Sequence, residues 1–515
     1  MTATREWRVC AVLLLVVVVL CVDALAWGGV GDVSADPGTV PVSGSVPVSG
    51  GTPVPQETPI TLVRAGSPYR LTVRSQTGGE GLLDVTAEAP GIDWATRDDE
   101  SAVVAVDVDG RLATDIVVWS QHPIARRVQL GYLPAGVHTL TLAVDGEASV
   151  AAARTVVLRG PAVAVVPPGA AASRALATAP VLYGRSLPDL GGRFQNNHTD
   201  TPLLAWHTED AVAARPGHTL FEYSVMWSNE DGGTGNDPAV VQARWGRQTD
   251  IEWVYRVEVD AEGSTVAGTA VYQGPNHVVV PFRGSYEHGH PVLQTCTSNN
   301  NVCDVLVDPG MRFMPAADRE PVAGQARERM MDANPWAYQV SAAEVRREGK
   351  TEPVASPDTP ALSDPRNYLY IVVRKTTAGP AVGPAEVSAG LAGGNLGWVG
   401  TAVGVRLRRT PGVLYRSDHA IAGWTLQRDG SAATAVELPV GTRLDDIATV
   451  EVLRVPTTMI DPGSTVTVTG VERAIMLGDD SLPAAGSLTW SGMVTLTAAS
   501  PVAVLYEGIP ASVVR

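Results

Sequence analysis

Lysine is almost missing from this chain: Lys350 and Lys375 are the two among 38 basic residues in 515. That bias points to a high-GC bacterial genome and says little about mechanism. Cysteine is nearly as scarce, with Cys10 and Cys21 near the start and Cys296 and Cys303 far downstream. No C-x-x-C occurs, so a four-thiolate zinc site is excluded. Positive charge is also short. The formal net charge is -16, and Arg5 and Arg8 cancel Glu6 and Asp23, so the first 26 residues do not alter it. An acidic chain has no electrostatic footprint for nucleic acid or for an anionic membrane. Helix-period runs are scarce, whereas glycine (52) and proline (38) are plentiful, a combination that leans all-β. There is no G-x-S-x-G, no G-x-G-x-x-G and no P-loop, which removes the signals for a nucleophile elbow and for nucleotide chemistry.

What is present begins with an export signal. Arg5 and Arg8 precede an unbroken apolar run from Val9 to Val22, and Ala24-Leu25-Ala26 fits the small-residue cleavage pattern. The run is short for the roughly 20 residues that cross a bilayer. The alternative is an uncleaved anchor reaching Val30, which would carry Asp23 through the membrane and make the N-terminal segment the chain's one membrane contact. Residues 27–58 repeat V-P-V-S-G twice and read as an extended stalk. No apolar span or sorting signal follows at the C-terminus, so the chain is expected to end as a soluble tail. The expected location is secreted or in the cell envelope.

Beyond the stalk the chain divides into three expected β units: a β-sandwich over 59–160, a linker over 161–178, a central β-rich domain over 179–375, a second linker over 376–395 and a C-terminal β-sandwich over 396–515. The fold class is therefore all-β and multi-domain, with sandwich or jelly-roll units and one or two short helices in the central domain. Leu140, Leu142 and Val144 alternate with Thr141 and Ala143, and Asp109-Gly110 reads as a hairpin turn. In the central domain the sequence predicts a helix over Pro321 to Asp332, ended by Asn334-Pro335, and a second over Ser341 to Glu348. Tyr368 to Arg374 is expected to be that domain's last strand.

The segment from His218 to Cys303 gathers most of the residues that could carry chemistry. In an extended strand residues two apart share a face, so Asp250 and Glu252 are expected on one side with Arg256 and Glu258. Ile251, Trp253, Tyr255, Val257 and Val259 are expected on the other. Carboxylates so spaced lie roughly 7 Å apart, a separation that glycoside hydrolysis uses, with one acid donating a proton while the other stays ionised. The bland reading is a surface ion-pair ladder with Arg244, Arg247 and Arg256. His288 and His290 share a face if extended, and with His277 and Glu252 they could ligate zinc; Gly289 and Pro291 argue instead for a turn. Glu230 to Asp237 offers oxygen ligands for calcium, without the EF-hand spacing. Trp253, together with Trp206, Trp227 and Trp245, could line a sugar platform or anchor the core. Asn197-His198-Thr199 is a lone glycosylation sequon. Cys296 and Cys303, separated by a short polar stretch in an exported chain, read as a disulfide.

Two resemblances add to this. The run L-G-Y-L-P-A-G-V-H-T-L-T-L, Leu130 to Leu142, resembles a strand pair of carbohydrate-binding-module-like jelly rolls, which implies a fold more than a sugar site. T-D-T-P-L-L (Thr199 to Leu204), the Asp250-x-Glu252 strand, His277 and H-G-H-P (His288 to Pro291) resemble the vacuolar-protein-sorting-sixty-two-like β proteins, in which a D-W-E strand precedes histidines and a His-Pro step. Here Asp-Ile-Glu-Trp stands in its place, so the carboxylates match and their neighbours do not. That resemblance implies a β fold and no reaction. The expected function is a non-enzymatic binding or structural protein that recognises glycan. The alternative is an extracellular polysaccharide hydrolase acting through Asp250 and Glu252, with Trp253, His277, His288 and His290 at its binding face.

Overall fold

The computed structural model describes residues 58–186, 200–230, 237–317, 324–355, 359, 361–379, 399–457 and 461–508. The export signal, nearly all of the stalk, the sequon's Asn197 to Thr199, and Asp231 to Asn236 of the expected calcium loop lie outside the described residues. Among the described residues no helix is long and apolar enough to cross a membrane.

Six sheets account for the described architecture, and strand pairs are antiparallel apart from His290–Thr295 beside Val181–Tyr183. The first sandwich stacks Ile60–Val63, Thr155–Val166, Gly79–Glu88 and Ile124–Leu133 over Tyr69–Ser75, Gly136–Val144, Ala102–Val108 and Arg111–Val118. Its alternation is as expected: Leu140 and Leu142 are fully buried among Val104, Val106, Ile116 and Leu158. Asp109 and Gly110 form the expected turn, both with positive φ, 51° and 80°. A two-residue turn with both residues left-handed matches the twist of the flanking strands.

The C-terminal sandwich pairs the sheet Gly430–Glu437, Tyr368–Ala378, Thr465–Ile475, Leu488–Leu496 with the sheet Thr410–Arg416, Val399–Leu407, Ile447–Pro456, Val502–Glu507. One strand moves. Tyr368–Ala378, expected to close the central domain, instead lies between Gly430–Glu437 and Thr465–Ile475. Its composition explains this: Leu369, Ile371 and Val373 pack into the C-terminal core while Tyr368 and Tyr370 face the central unit. A strand apolar on both faces is read from sequence only as buried, without saying between which partners.

The central unit is built on the sheet Pro202–Ala211, Thr219–Trp227, Asp250–Val259, Val271–Gly274, Val278–Pro281. Its helices differ from expectation. A short helix covers Arg329–Ala333 and ends at Asn334-Pro335 as expected, while the second, Trp336–Arg347, starts five residues earlier than the expected Ser341. Proline just ahead of a first turn costs nothing, because that N–H would be unpaired anyway. An unforeseen helix, Pro238–Trp245, ends at Gly246 in the left-handed conformation.

The three units share cores. Trp94, Val103, Val117 and Trp119 of the first sandwich join Trp227, Tyr255 and Val340 of the central unit in one cluster. Tyr370, Ile475 and Leu477 join Trp206, Met226 and Ile251 in another. Residues 57–515 accordingly form one compact unit.

Candidate functional site

The strand Asp250–Val259 carries a β-bulge that decides which way its acids point. Tyr223 lies opposite Tyr255, whereas Ser224 lies opposite Trp253, so Val254 is the extra residue. An inserted residue reverses the alternation beyond it. Asp250 and Glu252, opposite Trp227 and Val225, therefore share a face with Tyr255 and Val257, which lie opposite Tyr223 and Phe221. The strict alternation expected from sequence is corrected accordingly. Trp253 falls on the other face, where the Arg256 guanidinium sits 3.8 Å over its ring, and three positions separate those two residues.

The acids thus point inward. Asp250 has no exposed surface, and Oδ2 accepts a hydrogen bond from Asn300 Nδ2 at 3.0 Å. Among the described residues it pairs with Arg247, 4.0 Å from Oδ1, and that guanidinium is shared with Glu230 at 2.8 Å and Glu328 at 3.3 Å. Burial, with Glu230 and Glu252 as negative neighbours, pushes Asp250 well above the usual carboxylate range, against Arg247 and Asn300. Glu252 goes the other way. Burial would raise it, but His277, Arg327 and Gln273 outweigh burial and hold it below its ordinary value. Gln273 donates to Glu252 Oε2 at 2.6 Å, and His277 Nδ1 stands 3.6 Å from Oε1. Burial would lower His277, and Glu252 reverses that and raises it. The surface ion-pair ladder fails as well: Arg256 pairs with Glu222, while Arg244 donates to Gly423 O.

The disulfide loop forms the other wall. Cys296 and Cys303 are bonded, with Cα atoms 5.8 Å apart, and the three asparagines between them each reach the acids or their partners. Asn299 Nδ2 lies 3.0 Å from His277 Nε2, and Asn301 Nδ2 lies 3.4 Å from Nδ1. Asn300 donates both to Asp250 and to Asn229 O, at 3.1 Å, and accepts from Arg185. Arg185 holds Asp200 at 2.6 Å, and neither has any exposed surface. Asn229 continues the chain of contacts to Glu344 at 3.1 Å, which accepts from Trp94 of the first sandwich. On the opposite side Glu328 accepts from Arg428 of the C-terminal sandwich at 2.7 Å.

The histidines expected beside Glu252 do not converge. Only His277 arrives. His288 is exposed and left-handed, φ 52°, and with Gly289 forms the turn between Glu287 and His290. His290 is buried elsewhere, Nδ1 2.9 Å from Ala179 O and Nε2 3.3 Å from Glu80. The zinc set of His277, His288, His290 and Glu252 is therefore not assembled, because a two-residue turn sends the last two histidines in different directions. Among the described residues no group of three or more His, Cys, Asp or Glu is placed to hold a metal. Of the calcium candidates, Glu230 is engaged with Arg247, and Asp237 is exposed ahead of the helix Pro238–Trp245.

No protein-family model matches the chain, that of the sorting-protein-like family included, and no curated protein matches it. Among solved structures it is similar to the sugar-binding C-terminal domain of EclA, at 11% identity and TM-score 0.17 over 24% of this chain and 87% of that one. It is also similar to a GH26-CBM35 β-(1,4)-mannanase of Podospora anserina, at 14% identity and TM-score 0.13, over 29% of this chain and 41% of that one. A third is the M60 catalytic domain with two CBM51 domains from Clostridium perfringens ZmpB, at 10% identity and TM-score 0.15, over 85% of this chain and 34% of that one. Likenesses at this level carry no argument about activity.

Sequence reasoning missed most of the cluster. Arg185, Asp200, Asn229, Glu328 and Asn300 come from separate segments and carry no motif, and Arg247 was foreseen only as part of a surface ladder. The one available signal was three consecutive asparagines enclosed by the only downstream cysteines.

Proposed function

We propose that the chain is a non-catalytic extracytoplasmic β protein that binds glycan, with the Asp250 cluster serving as an internal brace. The observation that carries this is the burial of Asp250, whose carboxyl is taken up by Asn300 and faces the protein interior. A general acid has to come within hydrogen-bond reach of its substrate. Tyr132, 45% exposed within the jelly-roll-like strand pair, and Tyr286, 53% exposed, offer flat apolar faces with a polar tip, on which sugar rings can lie. The strong negative charge favours neutral over anionic polysaccharide.

One observation favours the hydrolase reading. Asp250 is held up and Glu252 down, the division of roles that an acid and its ionised partner need. Both readings meet in one experiment. The purified full chain is pulled down with a panel of insoluble polysaccharides, and the supernatants are assayed for new reducing ends. Retention that Tyr132→Ala and Tyr286→Ala weaken, with no reducing ends, supports binding. Release of reducing ends that Glu252→Gln abolishes would make the protein a hydrolase.

A further inference from the structure

We infer that the Cys296–Cys303 disulfide is a redox-sensitive latch: closed, it holds the junction among the three β units, and reduced, it lets that junction open while each unit stays folded. The inference stands apart from the glycan reading, because it concerns what the loop holds and not what the surface binds.

The geometry has three parts. First, the loop ties several buried groups directly, alongside Asp200, which joins Arg185 to the Asn229 amide. Asn300 alone touches Asp250, Asn229 and Arg185, and Ser298 O accepts from Arg185 at 3.1 Å. From there the contacts reach Trp94 through Asn229 and Glu344, and Arg428 through Asp250, Arg247 and Glu328. Second, the loop's own internal hydrogen bonds are few, and apart from the covalent bond its hold comes from the outward contacts of its asparagines and the burial of Val302. Inside it are Cys296 N to Asn301 O at 2.9 Å and Asn301 N to Thr297 Oγ1 at 3.0 Å. Two residues, Val302–Cys303, pair with its neighbouring strand. Asn300 itself is left-handed, φ 52°, a conformation asparagine adopts more readily than other non-glycine residues. Third, the bond is reachable, because both cysteines are half-buried rather than sealed.

Reduction is balanced by a dithiol. One of its thiolates attacks a cysteine sulfur to give a mixed disulfide, the second closes on the first, and the two electrons and two protons end on Cys296 and Cys303 as free thiols. The loop then has to hold Asn300 without its covalent closure, by hydrogen bonds and the burial of Val302. Once Asn300 withdraws, Asp250 keeps Glu230 and Glu252 as neighbours and loses its donor. An unsatisfied buried carboxyl draws in water.

Hydrogen–deuterium exchange on the full chain, oxidised and after dithiothreitol, tests this. Amides of 227–230 and 250–254 should exchange about tenfold faster on reduction, the effect of losing one buried hydrogen bond to an ionisable group. The strand Thr465–Ile475 should stay as protected as before. Asn300→Ala with the disulfide intact should accelerate the same two segments without reductant. Faster exchange confined to 296–303 would overturn the inference, since the disulfide would then staple only its own loop. Uniform acceleration including Thr465–Ile475 would overturn it too, by making the bond a staple of the whole fold. So would an Asn300→Ala protein whose 250–254 amides stay protected.

Discussion

Asn300 donates its side-chain amide to Oδ2 of Asp250 across 3.0 Å, and neither residue has any exposed surface. The bond joins a disulfide loop to the middle of a sheet. Because burial and two negative neighbours favour the neutral form of Asp250, Asp250→Asn changes little that the fold depends on. Its expected cost is below about 1 kcal/mol, as for a near-isosteric exchange that keeps an oxygen acceptor. Asn300→Asp is expected to cost about 3–5 kcal/mol, because it sets a second buried acid against the first. Urea midpoints of the two variants provide the check. A large loss in Asp250→Asn would mean that Asp250 is an anion paired to Arg247.

Arg247 serves three acids at once and is itself buried: Glu230 at 2.8 Å, Glu328 at 3.3 Å and Asp250 at 4.0 Å. Removing one member of such a group leaves the others charged and dry, which costs about 3–5 kcal/mol. Arg247→Met is expected to lose that much in chemical denaturation. Arg247→Lys should recover only part of it, since a point charge cannot reproduce a fork aimed at two carboxylates.

His277 and Glu252 make a prediction in pH. Glu252 is held below its ordinary value, so its share of stability is present above the usual carboxylate range and is lost as pH falls through its folded value. His277 is held above 6.5, so its share is full below 6.5 and is lost as pH rises through the folded value. The pair therefore stabilises best in the weakly acidic window between the two. Glu252→Gln should bring the His277 titration, followed by NMR of its ring protons, back toward or below 6.5, since burial then acts on it with less opposition. A His277 titration unchanged by that substitution would falsify the pairing.

Asp115 offers an independent test at another contact. It is 6% exposed, its Oδ2 accepts from Arg312 N at 2.8 Å, and burial pushes its carboxyl up to about 6 from 3.8. The folded chain therefore holds a proton there that the unfolded chain releases, and stability falls as pH rises from near 3.8 to about 6. A shift of that size corresponds to about 2–3 kcal/mol. Asp115→Asn keeps an oxygen for the Arg312 amide and cannot ionise. Its stability, measured by urea midpoint, should fall less over that interval than the parent's and exceed the parent's at pH 7.

How far the sequence showed all this depends on range. The sandwich strands were legible because alternation is local: Leu140 and Leu142 announce their own face. The disulfide was legible because only two downstream cysteines exist. The site was legible in part, since Asp250, Glu252 and His277 do come together. Two features were not. The bulge at Val254 turns on one unpaired residue, and no short-range pattern marks it. The divergence of His288 and His290, by contrast, was signalled, because Gly289 and Pro291 argued for the turn that separates them. The burial of Asp250 depends on Asn300 arriving from another segment, beside Arg247 three residues away, and buried polar contacts of that kind have no period. Tyr368–Ala378 was misplaced for a related reason, because a strand apolar on both faces does not name its neighbours.

Arg126 carries the last prediction, and it runs against the intuition that buried charges brace folds. Its guanidinium sits 4.3 Å from the Trp119 ring and 5.9 Å from the Trp336 ring, and Nη1 donates to Leu203 O at 2.9 Å. Burial depresses its pKa to about 9, and among the described residues no carboxylate pairs with it. Arginine here contributes ring contacts and one hydrogen bond between the first sandwich and the central unit, while the desolvation of its charge opposes them. A methionine fills similar length, keeps contact with both rings and carries no charge. Arg126→Met should therefore leave the thermal midpoint unchanged or raise it, whereas Arg126→Ala should lower it by opening a void between the two tryptophans, at about 2–4 kcal/mol. If Arg126→Met lost as much as Arg126→Ala, the charge itself would be holding the two units together.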